Sequence, residues 1–248
     1  MRIKLTFHLD KPVLPKDNKS IWISFLKSVL TSCNGGQFYS RYVDKPYLKD
    51  YTFSILLPNP IYTEDTIILD DNRITMLFSA DDRNNSGFIF FSAFIEAKNN
   101  KKRFPVYNYN RFYIDQITKI PEQEIVGSSV IFSTVPGSGL CVMHHDRETF
   151  KNQFYKFSDP EFLPTLQQVI VNEAERAGFP RKIAEQVKVT PLDCKKRVIK
   201  QYSIYVVVSQ GYFLVEGDPR LLSYFHKAGL GSKHGMGYGM VNLVSQAC

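Results

Sequence analysis

Apolar residues along this chain recur at every second position, then at helical spacing, and the changes of period follow one order: strand, helix, strand, strand, helix, strand. Ile3, Leu5, Phe7 and Leu9 face one way and Arg2, Lys4, Thr6 and His8 the other, the pattern of a half-buried strand. Ile21-Trp-Ile-Ser-Phe-Leu-Lys-Ser-Val-Leu30 carries its apolar residues at helical spacing. Strand-like runs follow at 51–57, closed by Pro58 and Pro60, and at 73–79, either side of a polar turn around Asp70-Asp-Asn72. Residues 87–97 read as a second helix and 111–118 as a further strand.

After a boundary at 121–127 the order recurs. Strand-like runs at 129–133 and 140–143 precede a helix with cap candidates Ser158 and Asp159, carrying Phe162, Leu166, Val169 and Ile170. Residues 187–190 and 200–208 look like paired strands, 212–216 follows, Asp218-Pro219 opens a short helix, and 240–244 closes the chain as a strand. The expected architecture is α+β: two tandem ferredoxin-like (βαββαβ) domains, residues 1–122 and 123–248, each an antiparallel sheet with helices on one face. Such a sheet leaves a face open, and in RNA-recognition modules of this shape that face, or the cleft between two of them, receives single-stranded or hairpin RNA.

Five of the fourteen glycines fall within Gly229-Leu-Gly-Ser-Lys-His-Gly-Met-Gly-Tyr-Gly239, a density that permits positive φ and very close backbone approach. Phosphate is the natural partner, because successive backbone N–H groups form anion-binding nests and Lys233 adds a fixed charge. A glycine-rich turn packed tightly against a sheet is the alternative. A dinucleotide site does not fit, since here a helix precedes the glycines and a strand follows them, and a Walker loop lacks its Gly-Lys-Ser/Thr. The net charge of +7 agrees with a polyanionic partner. Cys33, Cys141, Cys194 and Cys248 have neither zinc-site nor disulfide-framework spacing, so no metal is expected and the thiols suit a reducing, cytoplasmic setting. No apolar run spans a bilayer, and the N-terminus lacks a secretory signal, so no membrane partner is expected.

The glycine segment after a helix and before a final strand resembles the C-terminal signature of the CRISPR repeat-processing endoribonucleases, a superfamily of tandem ferredoxin-like folds. Tyr51-Thr-Phe-Ser54 and Tyr155-Lys-Phe-Ser-Asp-Pro-Glu-Phe162 extend the resemblance over nearly the whole chain. It implies metal-independent cleavage of precursor crRNA within each repeat, a ribose 2′-hydroxyl attacking the adjacent phosphate to leave a 2′,3′-cyclic phosphate. In the family a histidine at the end of the first helix, or in the loop after it, often serves as acid or base, helped by a tyrosine and a lysine. This chain has no histidine between His8 and His144. Its loop instead interleaves basic and aromatic residues, which suits phosphate contact and base stacking. Tyr39, Arg41, Tyr42, Lys45 and Lys49 are the expected catalytic region, with Lys45 or Lys49 stabilising charge and a tyrosine positioning the hydroxyl.

The expected RNA contacts are Gly229, Gly231, Ser232, Lys233, His234, Gly235, Gly237 and Gly239, with Lys195, Lys196 and Arg197 lining one face of a strand or hairpin to hold the flank of the repeat. Arg2 and Lys4 extend that track, and His8 lies on the same side. His144-His145, near Arg147, and His226 read as solvated, while His234 is placed for a phosphate. The partners implied are CRISPR repeat RNA, with a second copy of the chain and a CRISPR interference complex as further candidates. The competing functions are a crRNA-holding subunit that does not cut, and an RNA-recognition protein outside CRISPR.

Overall fold

The alternation of β1 (Arg2–Leu9) buries Ile3, Leu5, Phe7 and Leu9, and the first sheet is built on that row. The computed structural model describes residues 1–43, 49–146, 148, 150–202 and 204–247. The chain passes through β2 (Val13–Pro15) into α1 (Lys19–Ser32), whose Trp22, Phe25, Leu26 and Val29 close over the β1 row. Phe7 meets Trp22, Phe25 and Phe112 with ring centroids 5.3, 5.1 and 5.2 Å away. A 3-10 turn (Cys33–Gly36) and the short α2 (Tyr39–Tyr42) lead to β3 (Tyr51–Leu56). β4 (Ile61–Tyr62) and β5 (Thr66–Ile68) join β2 in a small sheet, and β6 (Arg73–Ala80), α3 (Ser86–Asn99), β7 (Phe104–Pro105) and β8 (Arg111–Ile120) complete the first half. The main sheet runs β3-β6-β1-β8-β7, antiparallel throughout, with α1 and α3 packed into one core on one face.

The second half contains β9 (Ser129–Thr134), a hairpin of β10 (Val142–His145) and β11 (Asn152–Tyr155), α4 (Phe162–Arg176) and α5 (Arg181–Glu185). Then come β12 (Lys188–Gln201), β13 (Ile204–Glu216), α6 (Pro219–Ala228) and β14 (Val241–Ala247). Its sheet runs β12-β13-β9-β14. Taking the four main strands of each half in chain order, both sheets read second, third, first, fourth, the ferredoxin-like arrangement twice over. Asp218 caps α6 by accepting from the Arg220 amide at 2.9 Å, and Pro219 occupies the first turn, where its missing N–H costs nothing. Among the described residues no helix is long and apolar enough to cross a membrane.

Three local expectations change. Residues 187–190 and 200–208 do not pair with each other: β12 is one long strand folded back on β13, Lys188 opposite Glu216 and Gln201 opposite Ile204. Polar residues between 192 and 200 hid its extent. Residues 140–143 contribute to the β10–β11 hairpin, with Leu140 bridged to Ser209. α4 starts after Glu161, whose side chain makes no capping hydrogen bond, while Asp159 accepts from the amide and ammonium of Lys156 at 2.9 and 2.5 Å.

The second face of the first sheet, expected to be open, is covered. Arg2 donates to the carbonyls of His226, at 3.0 Å, and Val241, and to Asn242 Oδ1 at 3.0 Å. Ser79 donates to Lys227 O and Thr52 to Tyr238 O, each at 2.7 Å, and Ser54 to Pro136 O. All four side chains are buried, so Arg2 is a docking residue and not part of an RNA track. Lys4 stays exposed, and His8 is half-buried with its ring 5.4 Å from that of Tyr113.

Candidate functional site

The glycine segment leaves α6 and folds back on itself. Leu230 N donates to Gly239 O at 2.9 Å, Gly239 N to Gly139 O at 2.9 Å and Ser232 N to Cys141 O at 2.7 Å. At Gly239 φ is +74°, and a Cβ there would stand 2.2 Å from Leu230 O. At Gly235 a Cβ would stand 2.3 Å from Cδ of Lys49 and 3.1 Å from the Tyr51 hydroxyl. The close approach signalled by the glycines is therefore an approach of protein to protein. Gly229, Gly231, Ser232, His234, Gly235, Gly237 and Gly239 are buried, and among the segment's expected RNA contacts only Lys233 is partly exposed. A stretch expected to be a phosphate-gripping surface is instead a strut between the two sheets.

Lys49, two residues before the start of β3, lays its stem across that strut. It is half-buried, and burial first, then the neighbouring Lys27 on α1, pull its ammonium below the ordinary lysine value. An ammonium eased toward deprotonation beside a second cation suits both charge stabilisation and proton transfer at a phosphate. Tyr39 is half-buried nearby in sequence, and Arg41 donates to Asn84 O at 2.8 Å. Lys45 and Arg147 lie outside the described residues.

Tyr42 does not join this group. It is buried against Tyr51 and Phe90, its hydroxyl 2.7 Å from Ser86 Oγ, which donates to Asp50 at 2.7 Å. It is a core residue, and its hydroxyl is pushed up by burial. Tyr42→Phe is expected to cost about 1–3 kcal/mol of stability in a urea titration, through the lost buried hydrogen bond, and to leave RNA cleavage unchanged. Lys195, Lys196 and Arg197 are exposed on β12 as expected, but strand alternation sets Lys196 on the face opposite Lys195 and Arg197. Arg197 also donates to Gln210 Oε1 at 3.2 Å.

The histidines divide by burial. His226, expected in solvent, is buried with its ring stacked on Phe132, because α6 is covered by both sheets. Burial, then Arg2 and Lys227, pull it down to about 3. His234, expected at a phosphate, is buried with Nδ1 3.9 Å from Glu173 Oε2, and burial holds it below its ordinary value against the pull of Glu173. His144 and His145 are exposed on β10. Among the described residues no three His, Cys, Asp or Glu side chains gather as a metal site.

Lys19, at the start of α1, is the residue that sequence reasoning missed. It is buried, donates to Gly237 O at 2.9 Å and Met236 O at 3.5 Å, and stands 4.3 Å from the Tyr238 ring centroid. Burial lowers it from 10.5 to about 7, with only Cys141 acting in the other direction. A basic group lowered on folding penalises the folded state wherever the unfolded chain holds the proton, because the folded chain must then either bury the charge or give the proton up. The penalty is complete below about 7 and is relieved toward 10.5, at up to about 1.4 kcal/mol per pH unit. Lys19→Met is therefore expected to be more stable than the parent at pH 6, with the gap narrowing toward pH 9 in paired urea titrations.

Residues 120–243, half of the chain, match the family described as CRISPR associated protein Cas6, C-terminal. The chain belongs to the Cas6 family. Similar folds include the structure of a Cas6-related gene product from Pyrococcus furiosus, at 20% identity and TM-score 0.82, covering 100% of this chain and 99% of that one. An RAMP protein binding different RNA substrates is 21% identical, with TM-score 0.81 and coverage of 99% and 100%. A Thermus thermophilus Cas6 product complex is 13% identical, with TM-score 0.66 and coverage of 98% and 99%. These likenesses establish a shared Cas6 fold. No curated protein matches the sequence.

Proposed function

We propose that this protein binds CRISPR repeat RNA along the seam between its two sheets and cuts within the repeat without a metal, acting in the cytoplasm. The 2′-hydroxyl next to the scissile phosphate gives up its proton to solvent as it attacks phosphorus in line, the 5′-oxygen departs and takes up a proton, and the upstream fragment ends in a 2′,3′-cyclic phosphate. The observation that carries this reading is Lys49 lying across Gly235, where the basic-aromatic loop and the glycine segment meet. Lys49 holds positive charge at the phosphorane and its lowered ammonium serves the departing oxygen. Tyr39, Arg41 and Lys45 belong to the same loop, Lys27 and Lys233 extend the basic rim, and Lys195, Lys196 and Arg197 meet the flanking RNA. The product would pass to a CRISPR interference complex, with a second copy of the chain as a further candidate partner.

A second reading, retention of crRNA without cutting, is favoured by the two buried histidines of the seam, neither of which is exposed to act on RNA. Incubating the protein with its repeat RNA in EDTA separates the two. A single cut ending in a cyclic phosphate is expected. Tight binding without a cut overturns the nuclease reading, and equal affinity for unrelated RNA overturns both.

A further inference from the structure

Lys49 rests on a turn, and something has to hold that turn still. Its internal hydrogen bonds are Met236 N to Lys233 O at 2.9 Å and Gly237 N to His234 O at 2.8 Å. The carbonyls of Met236 and Gly237 point the other way, to the Lys19 ammonium. We infer that Lys19 is a positioning residue for the seam site, its ammonium fixing the 233–237 turn where Gly235 supports Lys49. The inference rests on the proposed cleavage site and deepens it.

Three observations carry it. Lys19 is anchored at the first turn of a helix whose Trp22 is wholly buried and donates to Asn18 Oδ1 at 3.2 Å, so the ammonium is delivered by a fixed element. It reaches across from the first half of the chain to the glycine segment and lies over the Tyr238 ring in that segment. Among the described residues no carboxylate pairs with it, so the burial is uncompensated by an ion pair. A methionine would fill a similar volume and keep the ring contact. Only the donor can hold two carbonyls at once. The same helix presents Lys27 beside Lys49, about 12 Å further along at the usual helical rise. α1 thus sets both the height of the turn beneath Lys49 and the charge beside it.

The test compares Lys19→Met with Thr52→Val, which removes another seam hydrogen bond, to Tyr238 O, without touching the turn. Amide hydrogen exchange of residues 233–237 is expected to accelerate at least tenfold in Lys19→Met and to stay near the parent rate in Thr52→Val, while protection of the sheets is kept in both. With protein in saturating excess over repeat RNA, single-turnover cleavage by Lys19→Met is expected to be slower by about tenfold or more with affinity held within threefold, since small misplacement of a reacting group is costly. An unchanged turn exchange in Lys19→Met overturns the inference, as does Thr52→Val matching its loss of cleavage. Exchange is read without any cut. A parent protein that binds but does not cleave would therefore overturn the nuclease reading and leave Lys19 to be judged on exchange alone.

Discussion

Lys49→Ala is expected to slow repeat cleavage by about a hundredfold or more, the usual cost of removing a preorganised donor from a developing oxyanion. RNA affinity should change less than tenfold, because Lys27 and Lys233 still present positive charge on either side of the gap. The two quantities come from single-turnover cleavage at saturating protein and from filter binding in the same buffer. Lys49→Arg sharpens the result. Arginine keeps the charge and recovers binding, but it does not release a proton near neutral pH, so the rate should stay low. In the parent, where burial and Lys27 lower the ammonium, a proton-donating Lys49 makes the rate fall as pH rises through that lowered value. The arginine variant should lose this fall. A Lys49→Ala protein that cuts at the parent rate places the chemistry elsewhere.

Gly239→Ala is expected to be among the more damaging single methyls in the molecule. The new Cβ would meet Leu230 O at 2.2 Å, and the residue is held at φ +74° by the hydrogen bond that closes the segment. Neither atom can move without opening the strut, so a loss of about 3 kcal/mol or more is expected, or a fall of about 6–12 °C in Tm for a chain of this size. Gly178→Ala is the control. Its φ is +82° but nothing lies within 4 Å of the new methyl, so only the backbone cost of about 1 kcal/mol applies. Equal losses in the two variants would mean that contact with Leu230 is unimportant.

Particular residues explain what could be seen in the sequence. The β1 row and the apolar spacing of α1 were legible because each face meets a continuous core. Tyr51-Thr-Phe-Ser54 was visible as a motif, and the structure supplies its logic: Tyr51 and Phe53 enter the core while Thr52 and Ser54 donate to the other half. The glycine density correctly signalled close approach, but density cannot say to what: Gly229 and Gly239 pack on the segment itself, Gly231 on residues 140–141, and Gly235 and Gly237 on Lys49 and β3. Lys19 escaped because a lysine opening a helix looks solvated. The signal was its position, four residues before Ile23, seven before Leu26 and eleven before Leu30, in line with the buried stripe of α1. Tyr42 failed in the opposite sense, its composition suiting RNA while its place in the chain suited the core.

The seam is lopsided in its chemistry. Arg2, Lys19, Thr52, Ser54 and Ser79 donate from the first half, and with the exception of Asn242 the acceptors on the other side are main-chain carbonyls. Every amino acid brings the same carbonyl. The C-terminal half can therefore change side chains at 136, 226, 227, 236, 238 and 241 without losing the carbonyls that dock it, Gly237 being held by its positive φ and the Phe53 ring, whereas each of the five donors is tied to its residue type. Sequence drift is cheap on one side of this joint and expensive on the other, and the docked geometry is remembered by the half that carries Lys49.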